Sequence, residues 1–170
     1  MPGPAGQIDG VTTATATSTL VRSVLLGMVT GGRTFTGLAA VAITTPPQGG
    51  RKPLSLLTGA RATRAVSLLA AGELVGDKLP KTPPRTQPPA LVGRLGAGAA
   101  SAAALAQRAG EAPLLPAVLG AAGALAWSYA GVAARAAAAA KAGSDLPGAV
   151  VEDALCVAGA AALTLPGRPR

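Results

Sequence analysis

Apolar residues in this chain come in runs, and proline separates the runs. Five stand out, over residues 20–45, 63–79, 90–109, 114–140 and 148–165. A helix needs about 20 mostly apolar residues to cross a bilayer. The first and fourth runs are long enough to span with some tilt. The second and fifth are short and carry charge. The third, "ALVGRLGAGAASAAALAQRA", is rich in Gly and Ala, whose own drive into lipid is weak. These weaker three are expected to insert only against neighbours, or one of them is re-entrant, because irregular backbone at membrane depth is tolerated where protein covers it. Gly31 and Gly32 predict a break in the first run.

The connections support this division. "PPQGGRKPLS" (46–55) and "PKTPPRTQPP" (80–89) cannot be helical, since proline removes amide donors and restricts the residue before it. Pro113 and Pro116 open the fourth run and Pro147 precedes the fifth, as suits helix starts. The expected fold is therefore all-α, a polytopic transmembrane helix bundle of about five segments over residues 19–165. Residues 1–18 read as a disordered polar tail and not as a secretory signal, since no basic start leads directly into an apolar stretch. Residues 166–170 form a basic C-terminal tail. Alternate loops carry similar numbers of Lys and Arg, so the positive-inside rule does not choose an orientation. If all five segments span, the two termini lie on opposite sides.

Composition agrees with a lipid environment. Charged residues make up 13% of the chain, against about 25% in soluble domains. One Trp, one Tyr and one Phe cannot fill a soluble core, whereas Ala and Gly are what closely packed membrane helices use. Net charge is +8, but the basic residues punctuate the apolar runs and do not gather on one face. That is how Lys and Arg flank membrane segments, and it argues against nucleic acid as a partner. The lipid bilayer is the expected partner, with a small solute or ion as a further candidate. No histidine and a single cysteine, Cys156, exclude a His/Cys metal site and an intramolecular disulfide. No cofactor is expected. Cys156 reads as a small buried hydrophobe.

Charges inside the apolar runs are the candidate site. Glu73 and Asp77 are four residues apart and share one helix face. Gly72 and Gly76 lie beside that face and would let another helix approach. Asp77 and Lys78 fall at the end of their run, at headgroup depth, with Glu73 about 6 Å deeper. The fifth run carries Glu152 and Asp153; Arg33, Arg94 and Arg135 supply positive charge elsewhere. An isolated ion at the bilayer centre costs on the order of 3 kcal/mol. These groups should therefore face inward and pair, with Glu73 and Glu152 meeting Arg33 or Arg94. The "GMVTG" motif, Gly27 to Gly31, reads as internal helix packing, and Trp127 with Tyr129 as space-fillers within the bundle.

Catalytic patterns are thin. Lys78 and Arg85 have the spacing of the first lipid-phosphatase motif, but Thr86 replaces its proline and the histidines are missing. A Ser/His pair is impossible, and Asp77 lacks the context of an intramembrane aspartyl protease. The chain is not expected to be an enzyme.

"GGRTFTGLAAVAI", "GELVGDKLPKTPPRTQPPALVGRLGAGAA" and "VVEDAL" together resemble the small bacterial membrane proteins grouped as domain of unknown function 4126. The matching positions are Gly31 to Arg33, then Glu73, Asp77, Lys78 and Pro80, then Arg94 through Gly98, and finally Glu152 with Asp153. Over residues 20–160 the resemblance implies a polytopic helical protein and assigns no activity.

Two functions fit these residues. One is a small transporter, channel or ion-coupled permease with a polar centre of Arg33, Glu73, Asp77 and Glu152. The other is a structural or accessory membrane protein in which the same charges only hold helices together. A soluble alanine-rich bundle is a third reading, which extraction by alkaline carbonate would reveal.

Overall fold

The computed structural model describes residues 5–47, 52–76 and 86–165, with side chains from Thr17 onward. Seven helices run through these residues: α1 (Ala5–Gly32), α2 (Thr36–Thr44), α3 (Leu54–Leu57), α4 (Ala60–Gly76), α5 (Pro88–Arg108), α6 (Leu114–Ala142) and α7 (Leu146–Thr164). The all-α expectation holds. The expected five spans are not all evident. Among the described residues three helices are long and apolar enough to cross a membrane: α5, α6 and α7.

The other two runs fall short for local reasons. Gly31 and Gly32, poor helix formers, end α1. The first run is thereby divided between α1 and the short α2. The second run becomes α4, a 17-residue helix carrying Arg61, Arg64 and Glu73, with no buried residue. At the start of the chain α1 already begins at Ala5, inside the segment where the sequence predicts a polar tail. Once the packed turns of α1 exist, each further residue adds a hydrogen bond without a new nucleation cost.

α1, α5 and α6 pack mutually; α7 lies against α1, α2 and α6, and α4 lies mainly on α2. The crossing of the first three is glycine on glycine. A Cβ on Gly27 would run into the backbone carbonyl of Gly120, and one on Gly98 would lie 2.6 Å from that same oxygen. Gly31 sits equally close to Ala124 O, 2.5 Å from where a Cβ would stand. Gly27 and Gly31 therefore pack α1 onto α6. Around this crossing the hydroxyls of Ser23, Ser101 and Ser128 donate to carbonyls four residues back, at 2.6–2.8 Å. Each buried hydroxyl is thus satisfied inside its own helix.

Large apolar side chains are distributed the other way round. Leu114 is 76% exposed and Leu68 is 73% exposed, with Val151, Leu155, Val92 and Val75 also outward, whereas Arg33 is fully buried. In water this arrangement would forfeit the burial of those side chains, each worth about 1.5–3 kcal/mol. In lipid it costs nothing. Small and polar inside with large and apolar outside is the pattern of a helix bundle in a membrane.

Candidate functional site

Between α1 and α2 the helix stops for three residues, Arg33, Thr34 and Phe35. A break leaves carbonyls at the end of one helix and amides at the start of the next without intrahelical partners. Other helices supply them. The N–H groups of Thr34 and Phe35 donate to Glu73 Oε1 and Oε2, at 2.7 and 3.0 Å. Glu73, on α4, thus caps α2 from almost forty residues away, where the N-cap Phe35 offers no side-chain acceptor. On the other side Arg94 Nη1, on α5, donates to Gly31 O and Gly32 O at 2.8 and 3.0 Å. A carboxylate at a helix N-terminus and a guanidinium at a C-terminus both match the helix dipole. The two side chains also face each other, with Arg94 Nη2 lying 3.6 Å from Glu73 Oε1.

The third contribution comes from α7. Arg33 Nε donates to Asp153 Oδ1 at 2.6 Å, and Nη2 reaches the same oxygen. Arg33 is wholly enclosed, so this pair ties the break to α7 in a dry setting. α4, α5 and α7 therefore each place one charge at a single interruption of the α1–α2 segment.

Glu152 lies beside Asp153 in sequence but faces elsewhere. Successive residues on a helix point about 100° apart, so the neighbours look toward different helices. Asp153 meets Arg33. Glu152, 5% exposed, turns to α6, where Arg135 Nη1 is 3.6 Å from its Oε2. Glu73 pairs with Arg94 as the sequence predicts, and Arg135 is a neighbour of Glu152 that the sequence reading did not name. Arg135 in turn gives its Nε and Nη2 to Asp145 in the α6–α7 turn. Gly131 makes room here. A Cβ on it would lie 3.1 Å from Glu152 Oε1 and 3.2 Å from Trp127 Nε1.

Other sequence-predicted positions separate. Asp77 and Lys78 lie outside the described residues. Around Gly72 and Gly76, no atom of the described residues stands within 4 Å of where their Cβ atoms would be. α4 is peripheral, so its glycine face meets no second helix at that point. Cys156 is buried as expected, its Sγ 2.7 Å from the Cβ position of Gly32. Tyr129 points outward and does not fill the bundle, while Trp127 forms one wall of a groove between α6 and α7. The Arg135–Asp145 link is one that the sequence does not suggest by spacing alone. Its signal is a glycine turn at Gly143 that folds α6 back on α7 and brings residues ten apart together.

Among the described residues no group of three or more Cys, Asp or Glu is placed to hold a metal ion. No protein-family model matches the chain, and neither does any curated protein or solved structure.

Proposed function

We propose that this is a multi-pass integral protein of the cell membrane that moves a small solute or ion, as a transporter, channel or ion-coupled permease, and that it is not an enzyme. The resemblance to domain of unknown function 4126 belongs to the same reading and adds no activity to it. The supporting observation is the broken α1–α2 segment, with charged side chains from α4, α5 and α7 drawn to it. A continuous helix satisfies its own backbone at no cost to its neighbours. Interrupting one in an apolar bundle demands partners for every freed group, and membrane carriers use such discontinuous helices at their binding centres. In this reading Glu73, Arg94, Arg33 and Asp153 hold the interruption in place. Glu152, enclosed between α7 and α6, is the carboxylate that takes up and releases a proton or cation, a role that membrane-buried acids commonly serve.

A structural or accessory role is the second reading. It draws on the fit of the break itself, where both oxygens of Glu73 already hold backbone amides and Arg94 already holds two carbonyls. The two readings separate in liposomes carrying a trapped pH dye. Transport requires proton or cation flux that depends on the protein and falls in Glu152→Gln. Wild-type vesicles no leakier than empty ones under imposed pH and cation gradients would leave the structural role.

A further inference from the structure

Arg108 closes α5 and Leu114 opens α6. Both helices are long and apolar enough to cross a membrane, so the turn between them lies at one edge of the apolar layer. Lipid headgroups begin at that depth. Here Arg108 Nη1 donates to Thr44 Oγ1 at 3.0 Å and to Thr45 Oγ1 at 3.4 Å, at the end of α2. Each hydroxyl in turn donates to the carbonyl four residues back, of Ala40 and Val41. One nitrogen thus fixes the guanidinium. Its Nε and Nη2 find no acceptor among the described residues. Those two N–H groups form an edge with which arginine grips a phosphate or carboxylate bidentately.

A second arginine stands near the first. Arg22, on α1, is close enough to Arg108 to repel it, and both are partly buried. Arg33, Arg94 and Arg135 each have a carboxylate within 4 Å, whereas among the described residues neither Arg22 nor Arg108 has one. Glu111, in the α5–α6 turn, accepts instead from the Thr19 hydroxyl. Two like charges held together are stabilised when an anion sits between them. Thr44 and Thr45 also wall a cleft of about 470 Å³ that takes in Thr63 and Arg64 of α4. That volume lies within the range of about 300–1,000 Å³ typical of small-molecule sites.

We propose that Arg108 and Arg22 bind a phosphate group at this edge of the bundle, on the open Nε–Nη2 side of Arg108, and that the cleft with Arg64 receives what the phosphate carries. A phospholipid headgroup and free phosphate share this chemistry. The site does not depend on the transport reading, since Arg94 and the break lie about 20 Å away along α5 at 1.5 Å per residue.

The full chain in a neutral detergent is titrated calorimetrically with short-chain phosphatidic acid, with phosphatidylcholine of the same chain length and with inorganic phosphate. Phosphatidic acid is expected to bind saturably and about tenfold more tightly than phosphatidylcholine, whose ammonium group the arginines repel. Inorganic phosphate that binds as tightly as phosphatidic acid makes free phosphate the ligand, and binding about tenfold weaker makes it the lipid; both results uphold the site. Arg108→Lys keeps a positive charge and a donor for the threonines but loses the fork, and should weaken the tighter ligand about tenfold. Arg22→Gln leaves the threonine contacts intact and should weaken it severalfold, which covers the case in which Arg108→Lys does not fold. No saturable binding of either anion, phosphatidylcholine bound as tightly as phosphatidic acid, or anion binding unaltered in Arg22→Gln or in folded Arg108→Lys would overturn the site and leave Arg108 as a tie between α5 and α2.

Discussion

Two polar regions of this bundle are built from the same residue types and hold their carboxylates in different ways. At the α1–α2 break every charge is matched: Glu73 caps one helix end, Arg94 the other, and Asp153 takes Arg33. In the α6–α7 groove one arginine stands between two carboxylates, and Asp145 holds it by hydrogen bonds while Glu152 sits farther off. Matched charges lock helices together, and removing one member leaves its partner buried at a cost. An ion pair at 3.6 Å lies beyond hydrogen-bond reach and contributes less to such a lock than a direct hydrogen bond. The comparison teaches that burial of an ionisable group does not by itself distinguish structure from function; the balance of partners around it does.

The sharpest way to break the comparison is at Arg33. Arg33→Met leaves Asp153 enclosed without its guanidinium, and removing one member of a buried pair costs about 3–5 kcal/mol. The expected result is a large fall in the thermal midpoint of the detergent-purified protein. A fall no larger than that of an exposed charge substitution would mean that the break is not locked.

Glu73→Gln is the next step down. The amide oxygen still accepts from Thr34 or Phe35, but the charge opposite Arg94 is gone and one amide loses its acceptor. Hydrogen bonds to charged groups contribute about 1.5–3 kcal/mol, and a loss of that order is expected in the same unfolding measurement.

Glycines sharpen the comparison from outside the charges. Gly27→Ala forces a methyl into the carbonyl of Gly120 and should destabilise by about 1–3 kcal/mol. Gly72→Ala, where a methyl meets open space on a helix, should be neutral or stabilise by up to about 1 kcal/mol. Equal effects at the two sites, seen as equal midpoint shifts, would contradict the placement of α4 at the periphery.

How far the sequence could be read is clear from these same residues. The break at Gly31 and Gly32 was legible because two poor helix formers precede an arginine in an apolar run. The Glu73–Arg94 pair was legible because a charge in lipid must find a partner, and few were on offer. The illegible part depended on rotation and depth. That Arg135 on α6 neighbours Glu152 is set by a 100° step on α7 and by the turn at Gly143, neither of which leaves a mark on hydropathy. Gly72 and Gly76 carried the same four-residue spacing as Gly27 and Gly31. Only the outer position of α4 separates a packing glycine from an idle one. Which runs make spanning helices was hard to read for a related reason. Apolar content marks a run, but the interruption at Arg33 and the charges of α4 decide whether that run makes a continuous apolar helix.

The most direct test of the difference between a locking and a working carboxylate sets the thermal unfolding of Glu73→Gln beside that of Glu152→Gln in one detergent. Replacing Glu152 with its neutral isostere removes the desolvation cost of an enclosed carboxylate and weakens a 3.6 Å contact with Arg135, whereas Glu73 accepts backbone amides directly. The account expects a clearly lower midpoint for Glu73→Gln and an unchanged or higher one for Glu152→Gln. Equal falls for both would make Glu152 another structural ion-pair member, and would contradict its assignment as the carboxylate that takes up and releases a proton or cation.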